Sequence, residues 1–238
     1  MRQLNGKIVL VTGAARKLGG FLAQRLARQG AVVVAHYHTS EKTAKALELS
    51  LKRVNPKNSI MKADLRNEKQ IRGLMKKVIQ KHGRIDILIN NVGNFIFKPF
   101  DKVTYDDFQD VMETNLSSSF LLTQLAAQNM KRRKSGSIIN LGCAGADRLV
   151  IRPKTTPYYI AKTGVIMLTK IQAQTYGPRG IRVNAISPGI LKTSVVKPEV
   201  PVRLTDFDDI WATLVFLLDP VSEQVNGANI EVAGGWTP

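Results

Sequence analysis

Ile8-Val9-Leu10-Val11-Thr12-Gly13-Ala14-Ala15-Arg16-Lys17-Leu18-Gly19-Gly20 is the stretch that decides the architecture of this 238-residue chain. Four consecutive apolar residues predict a short strand buried on both faces. The glycine-bearing turn after it leads directly into a helical pattern over 18–29. A strand, glycine turn and helix in that order open a βαβ unit, and the helix N-terminus turns backbone N–H groups toward any anionic phosphate. Outward from this unit the alternation continues. Strands are predicted at 31–35, 60–63, 85–89, 137–141, 181–186 and 228–232, and helices over 41–53, 67–81, 104–131, 157–176 and from near Asp206. No repeat, low-complexity tract or Pro/Ser-rich linker interrupts them. The expected fold is one α/β domain over residues 1–238, a doubly wound parallel sheet of about seven strands with helices on both faces.

Hydrophobic residues make up 44% of the chain and mean hydropathy is −0.09, enough for a sizeable core. No apolar run approaches the ~20 residues of a membrane span. The first seven residues are too polar for a secretory signal, and a strand follows them at once. One cysteine, Cys143, rules out an internal disulfide, and no Cys/His cluster suggests a metal. A cytoplasmic protein is expected. Its charge is strongly basic, 35 Lys and Arg against 18 Asp and Glu, and residues 1–100 hold 20 basic and 5 acidic side chains. Such a field suits phosphorylated cofactors, acidic carrier proteins or nonspecific nucleic acid; scattered over helices, it also reads as a solvated surface. With aromatic residues at 6% and no nucleic-acid motif, specific nucleic-acid recognition is not expected.

Several motifs stand in an order that resembles the short-chain dehydrogenase/reductase superfamily. The turn is similar to its T-G-x-x-x-G-x-G pattern with Gly13 and Gly19 in place, Lys17 where the middle glycine stands, and Arg16 and Leu18 beside it. Asp64-Leu65 resembles the pair at the adenine, and Asn90-Asn91-Val92-Gly93 the N-N-A-G motif of close cofactor approach. Asn115 matches the asparagine that holds a water in the proton relay. Pro188-Gly189-Ile190 and Thr193 match the segment beside the nicotinamide. The resemblance implies a Rossmann fold and a nicotinamide dinucleotide. His36-Tyr37-His38-Thr39-Ser40, at the end of the second strand, has no carboxylate to accept from the adenosine ribose. With Arg16 and Lys17 it suggests a cationic, hydroxyl-rich site for the extra phosphate of NADPH, and it is similar to the His-Tyr-His motif of pteridine reductases.

Tyr158 and Lys162 are spaced i, i+4, which puts both on one face of a helix. An ammonium beside a phenol favours the phenolate and is expected to lower the tyrosine pKa into a range useful for acid–base work. Tyr159 competes at i, i+3, but the family spacing selects Tyr158. Cys143 occupies the position of the usual substrate-polarising serine, and a thiol is a weaker donor. Two residues are inserted before Tyr158, and the lid that follows Thr193 in the family is short. The resemblance implies an NADPH-dependent carbonyl reductase with Tyr158 as proton donor, closest to the 3-oxoacyl-acyl-carrier-protein reductases of fatty acid biosynthesis. Arg133 and Arg179 match residues that dock the acidic carrier. A pteridine reductase is the enzymatic alternative. A non-catalytic NADPH-binding sensor or a basic nucleic-acid binder is the alternative of another class. Assembly as a homotetramer or homodimer through the helices at 104–131 and 157–176 is expected.

Overall fold

The computed structural model describes residues 4–194 and 203–236. Its elements follow the predicted alternation: β1 (Ile8–Val11), α1 (Lys17–Arg28), β2 (Val32–Tyr37), α2 (Glu41–Val54), β3 (Ser59–Lys62), α3 (Glu68–His82) and β4 (Ile87–Asn90). After these come α4 (Tyr105–Met112), α5 (Ser118–Met130), β5 (Gly136–Leu141), α6 (Thr156–Tyr176), β6 (Ile181–Pro188), α7 (Phe207–Leu218) and β7 (Asn229–Val232). The strands form one parallel sheet in the order β3-β2-β1-β4-β5-β6-β7. Val9 is flanked by Val33 of β2 and Ile87 of β4. Strand order reverses between β1 and β4, so their connections leave in opposite directions and open a crevice at the carboxyl ends.

Alternation along each strand divides the core. Val9 and Val11 face Leu22 and Leu26 of α1, Leu47 and Leu51 of α2, and Leu214 and Leu217 of α7. Leu10 faces the opposite layer, with Leu74 and Met75 of α3 and Leu122 and Met130 of α5. Each such side chain contributes about 1.5–3 kcal/mol by leaving water. Cover on both faces is why the strands read as unbroken apolar runs.

The helix predicted over 104–131 is not continuous. A single π-helical turn, Glu113–Ser117, separates α4 from α5. Polar side chains there bond back onto the helix. Thr114 Oγ1 donates to Asp110 O (2.7 Å), Asn115 Nδ2 to Val111 O (2.9 Å), Ser118 Oγ to Thr114 O (2.7 Å) and Ser119 Oγ to Asn115 O (2.9 Å). Such side chains compete with the backbone ladder, and an extra residue in one turn leaves the hydrophobic period on either side intact. Among the described residues, no helix is long and apolar enough to cross a membrane.

Candidate active site

The crevice floor is built from the two turns at the reversal. Gly13 has φ +63°, and a Cβ there would lie 2.9 Å from Val92 Cγ2; one on Gly19 would lie 2.3 Å from Gly13 O. Only glycine lets these backbones approach so closely. Thr12 ties the turns together: its Oγ1 accepts from the N–H groups of Asn91 (2.9 Å) and Val92 (3.1 Å), while Asn91 Nδ2 donates to Thr12 O (2.8 Å). The N-terminus of α1 carries no side-chain cap and no acidic residue in its first turn, the arrangement that receives a phosphate. Arg16 and Lys17 are exposed there. Lys17 holds φ +49°, a left-handed conformation that costs a non-glycine residue about 1 kcal/mol.

The end of β2 differs from the sequence expectation. His36 is only 1% exposed, so it does not offer a cation to the crevice. Its Nδ1 accepts from Gly13 N–H (3.1 Å) and its Nε2 donates to Ala63 O (3.0 Å), a pairing that fixes the neutral tautomer. Burial, reinforced by His38, lowers its pKa to about 4, against opposing effects of the Ala63 carbonyl and Asp64. His36 therefore holds the glycine turn against β3. Tyr37 is also buried, while His38, Thr39 and Ser40 reach the surface. The Asp64 carboxylate lies 3.8 Å from His38 Nε2 and is gripped by Arg66, which bonds both its oxygens (3.1 and 2.8 Å) and brings its pKa to about 2. Leu65 is buried behind it.

Tyr158 and Lys162 stand near the start of α6, where Pro157 fits the first turn because its missing N–H is not needed there. Lys162 is 4% exposed; its Nζ donates to Leu141 O (2.7 Å) and lies 5.5 Å from the centre of the Tyr158 ring. Burial brings its pKa down to about 8. Tyr158 departs from expectation: burial, with Cys143 and Tyr159 alongside, pushes its hydroxyl well above the ordinary value. Desolvation outweighs the ammonium, so the phenol stays protonated. Gly93 marks where the partners converge, because a Cβ on it would meet Asn115 Oδ1 at 2.2 Å and Lys162 Nζ at 3.4 Å. Asn115 Nδ2 donates to Asn94 O (2.9 Å), yet its Oδ1 is buried with no hydrogen-bond partner. A water or ligand donor fits that position.

Cys143 sits on the turn after β5 with its thiol 3.7 Å from the Tyr159 hydroxyl, and burial raises its pKa, keeping it a neutral thiol. Tyr159 in turn donates to Ala144 O (3.4 Å). Pro188 ends β6 at the same rim, Gly189 and Ile190 follow it, and Thr193 is exposed beyond them. Residues 195–202, where the shortened lid is expected, lie outside the described residues. Its flanks are drawn together, Thr205 N–H donating to Ile190 O (2.9 Å).

Three residues not expected from sequence stand at this site. Phe95 sets its ring edge-on to Tyr158 with centroids 5.1 Å apart. Arg152 and Trp236 lie beyond Tyr159. Phe95 could have been found, since it follows Asn90-Asn91-Val92-Gly93 by two residues; the others depend on loops without a periodic signal. Both residues matched to carrier docking lie on the surface. Arg133 donates to Ile85 O (2.7 Å) and Asn129 Oδ1 (2.9 Å) and lies 3.6 Å from the Asp86 carboxylate while the residue stays exposed. Arg179 donates to Thr175 O (2.6 Å) at the end of α6 and is exposed.

A family model described as short chain dehydrogenase matches residues 7–202. The chain is 31% identical over 242 residues to 3-oxoacyl-acyl-carrier-protein reductase FabG of Staphylococcus aureus, covering 96% of this chain and 97% of that protein. It is 32% identical over 259 residues to the hydroxynaphthalene reductase-like protein Arp2 of Metarhizium guizhouense, covering 98% and 96%. A crystal structure described as a short-chain alcohol dehydrogenase from Sinorhizobium meliloti 1021 superposes with a TM-score of 0.88 at 28% identity, covering 98% of this chain and 97% of that one.

Proposed function

Because the chain belongs to the short-chain dehydrogenase family, whose members use a nicotinamide cofactor, we propose that it is an NADPH-dependent carbonyl reductase with Tyr158 as proton donor. The observation that carries this reading is the meeting of buried Lys162 and the unpartnered Asn115 Oδ1 at Gly93, with the Tyr158 ring centre 5.5 Å from Lys162 Nζ. A dinucleotide held in the crevice would supply a hydride to the carbonyl carbon. Tyr158, held as a neutral phenol, gives its proton to the carbonyl oxygen as negative charge develops there. Lys162, with its pKa near 8, is suited to return that proton, and Asn115 Oδ1 can hold the water that replenishes it. Cys143 and Tyr159 stand alongside the same hydroxyl.

The crevice fits a dinucleotide through the uncapped helix N-terminus and the glycine cradle. Arg16 and Lys17 favour the phosphorylated form, and the strained backbone retained at Lys17 supports a role for its side chain. Asp64, whose carboxylate lies 3.8 Å from His38, is neutralised by Arg66. Arg16→Ala is expected to weaken NADPH binding by about 10- to 100-fold, the effect of one charge-assisted contact. NADH, which lacks the phosphate, should change little. Fluorescence titration of both cofactors reads the difference, and an equal loss for the two removes Arg16 from phosphate recognition.

The substrate class proposed first is a 3-oxoacyl thioester on an acidic carrier protein, supported by the similarity to FabG and by the basic surface. The edge-on Phe95 ring gives the reacting position an aromatic wall and favours a flat pteridine as the second reading. An NADPH-oxidation panel of acetoacetyl thioesters, dihydrobiopterin and simple ketones ranks them. Tight NADPH binding without turnover of any would indicate a sensor. Assembly is proposed through α5 and α6, which leave Phe120, Ile160, Met167 and Ile171 exposed.

A further inference from the structure

Arg152 lies one turn ahead of the catalytic helix, in the segment inserted before Tyr158. Its backbone is fixed: Arg152 O accepts from Thr155 N–H (3.0 Å) and Thr156 Oγ1 (3.2 Å). Its guanidinium stands over two aromatic rings, 5.8 Å from the centre of Tyr159 and 5.5 Å from that of Trp236. Tyr159 is itself packed on Tyr158, with ring centres 6.2 Å apart. The charge is therefore held on the Tyr159 side of the site, close enough to act on both the Cys143 thiol and Tyr159.

Among the described residues no carboxylate pairs with Arg152. Arg148, four residues earlier, takes Glu231 (3.0 Å), whose other oxygen accepts from Gly145 N–H (2.7 Å). Arg66 and Arg84 likewise have acidic partners. An arginine stays charged at any ordinary pH, and stacking on aromatic faces leaves the N–H edge of its planar fork available. Arg152 also lines a cavity of about 530 Å³ whose walls are largely apolar, among them Leu149, Ile151, Pro153 and Ile160. One fixed polar group on an apolar wall is how a small-molecule site acquires orientation and specificity.

We propose that Arg152 binds a second, negatively polarised oxygen of the substrate, so that the site takes 3-oxo carboxyl compounds in preference to plain ketones. This rests on the carbonyl-reductase reading and narrows it: Tyr158 addresses the ketone oxygen while Arg152 holds the carboxyl-derived oxygen two carbons away. A free carboxylate and a thioester carbonyl share that chemistry.

The test compares acetoacetate, its N-acetylcysteamine thioester and 2-pentanone as substrates for the full-length protein with NADPH. Arg152→Gln is expected to lower kcat/KM about 30-fold for the two oxo-carboxyl substrates, chiefly through KM, and at least tenfold less for 2-pentanone. Arg152→Lys, which keeps the charge but not the fork, should recover part of the loss. The larger loss falling on acetoacetate or on the thioester identifies which oxygen is held. Equal losses on all three substrates overturn the proposal. Acetoacetate binding to the NADP⁺-loaded protein, read from Trp236 fluorescence against a Trp236→Phe control, supplies a readout without turnover. If no ketone is reduced by the wild type, the reductase reading fails, and acetoacetate binding unchanged by Arg152→Gln overturns the Arg152 assignment on its own.

Discussion

Tyr158→Phe is expected to lower kcat roughly a thousandfold, within the range that a positioned general acid contributes, while NADPH binding stays nearly unchanged. The substitution keeps the ring that packs against Phe95 at 5.1 Å, so it removes the proton and little else. Burial holds this hydroxyl protonated well past neutral pH, which suits a donor that must wait for charge to develop on the substrate oxygen. The limit on its cycle is then set by Lys162. Its pKa near 8 means the ammonium is lost as pH rises through that value, and the reductive rate should fall with it. Stopped-flow NADPH oxidation and cofactor titration on the same variant check both halves. Activity above a few per cent of wild type would transfer the acid role to Tyr159, whose hydroxyl faces the same thiol.

The second large effect is on stability. His36 is neutral in the folded protein with a pKa near 4, and about 6.5 when unfolded. Between those values the unfolded chain binds the extra proton, so stability is fully present above pH 6.5 and is lost as pH falls toward 4. That interval corresponds to roughly 3 kcal/mol. His38 and Asp64, its titratable neighbours, act in opposite directions. His82 is also lowered by partial burial and adds a loss of the same sign, so the wild-type slope is not due to His36 alone. His36→Asn isolates it: the variant should be weaker at pH 7 and lose less between pH 6.5 and 4. Urea melts across that range decide, and parallel slopes in the two proteins would falsify the assignment.

Much of the fold was legible because its signals are local and repeated. Apolar runs at β1, β4 and β5 are buried on both faces and needed no context to be read. The π-helical turn at Glu113–Ser117 was not legible, since it comes from side chains bonding to their own helix and leaves the periodicity intact. In the site, helix geometry left both Tyr158 and Tyr159 open as partners of Lys162, and only the resemblance to the family's spacing selected Tyr158. His36 shows what composition cannot reveal. Three residues of a cationic-looking stretch alternate across a strand, and sequence alone does not say which one points inward to Gly13 and Ala63. Arg133 is a related case: within a surface basic run, sequence alone does not say which side chain also reaches back to Ile85 O. Arg152 and Trp236 meet only because the carboxyl ends of β5 and β7 share one rim, a contact made by topology across more than eighty residues of chain.

The strand order also sets a timetable for biosynthesis. The turn after β1 is secured by Ile89, Asn91 and Val92, Thr12 N–H donating to Ile89 O and Thr12 Oγ1 bridging to the other two, across 77 to 80 residues. At ~5–20 residues per second, about 4–16 s of translation separate the emergence of this turn from that of the strand that holds it. During that interval β1 can pair only with β2, and its other edge, destined for β4, remains open to the wrong neighbour. A dinucleotide can therefore stabilise a finished chain but offers no template to a nascent one.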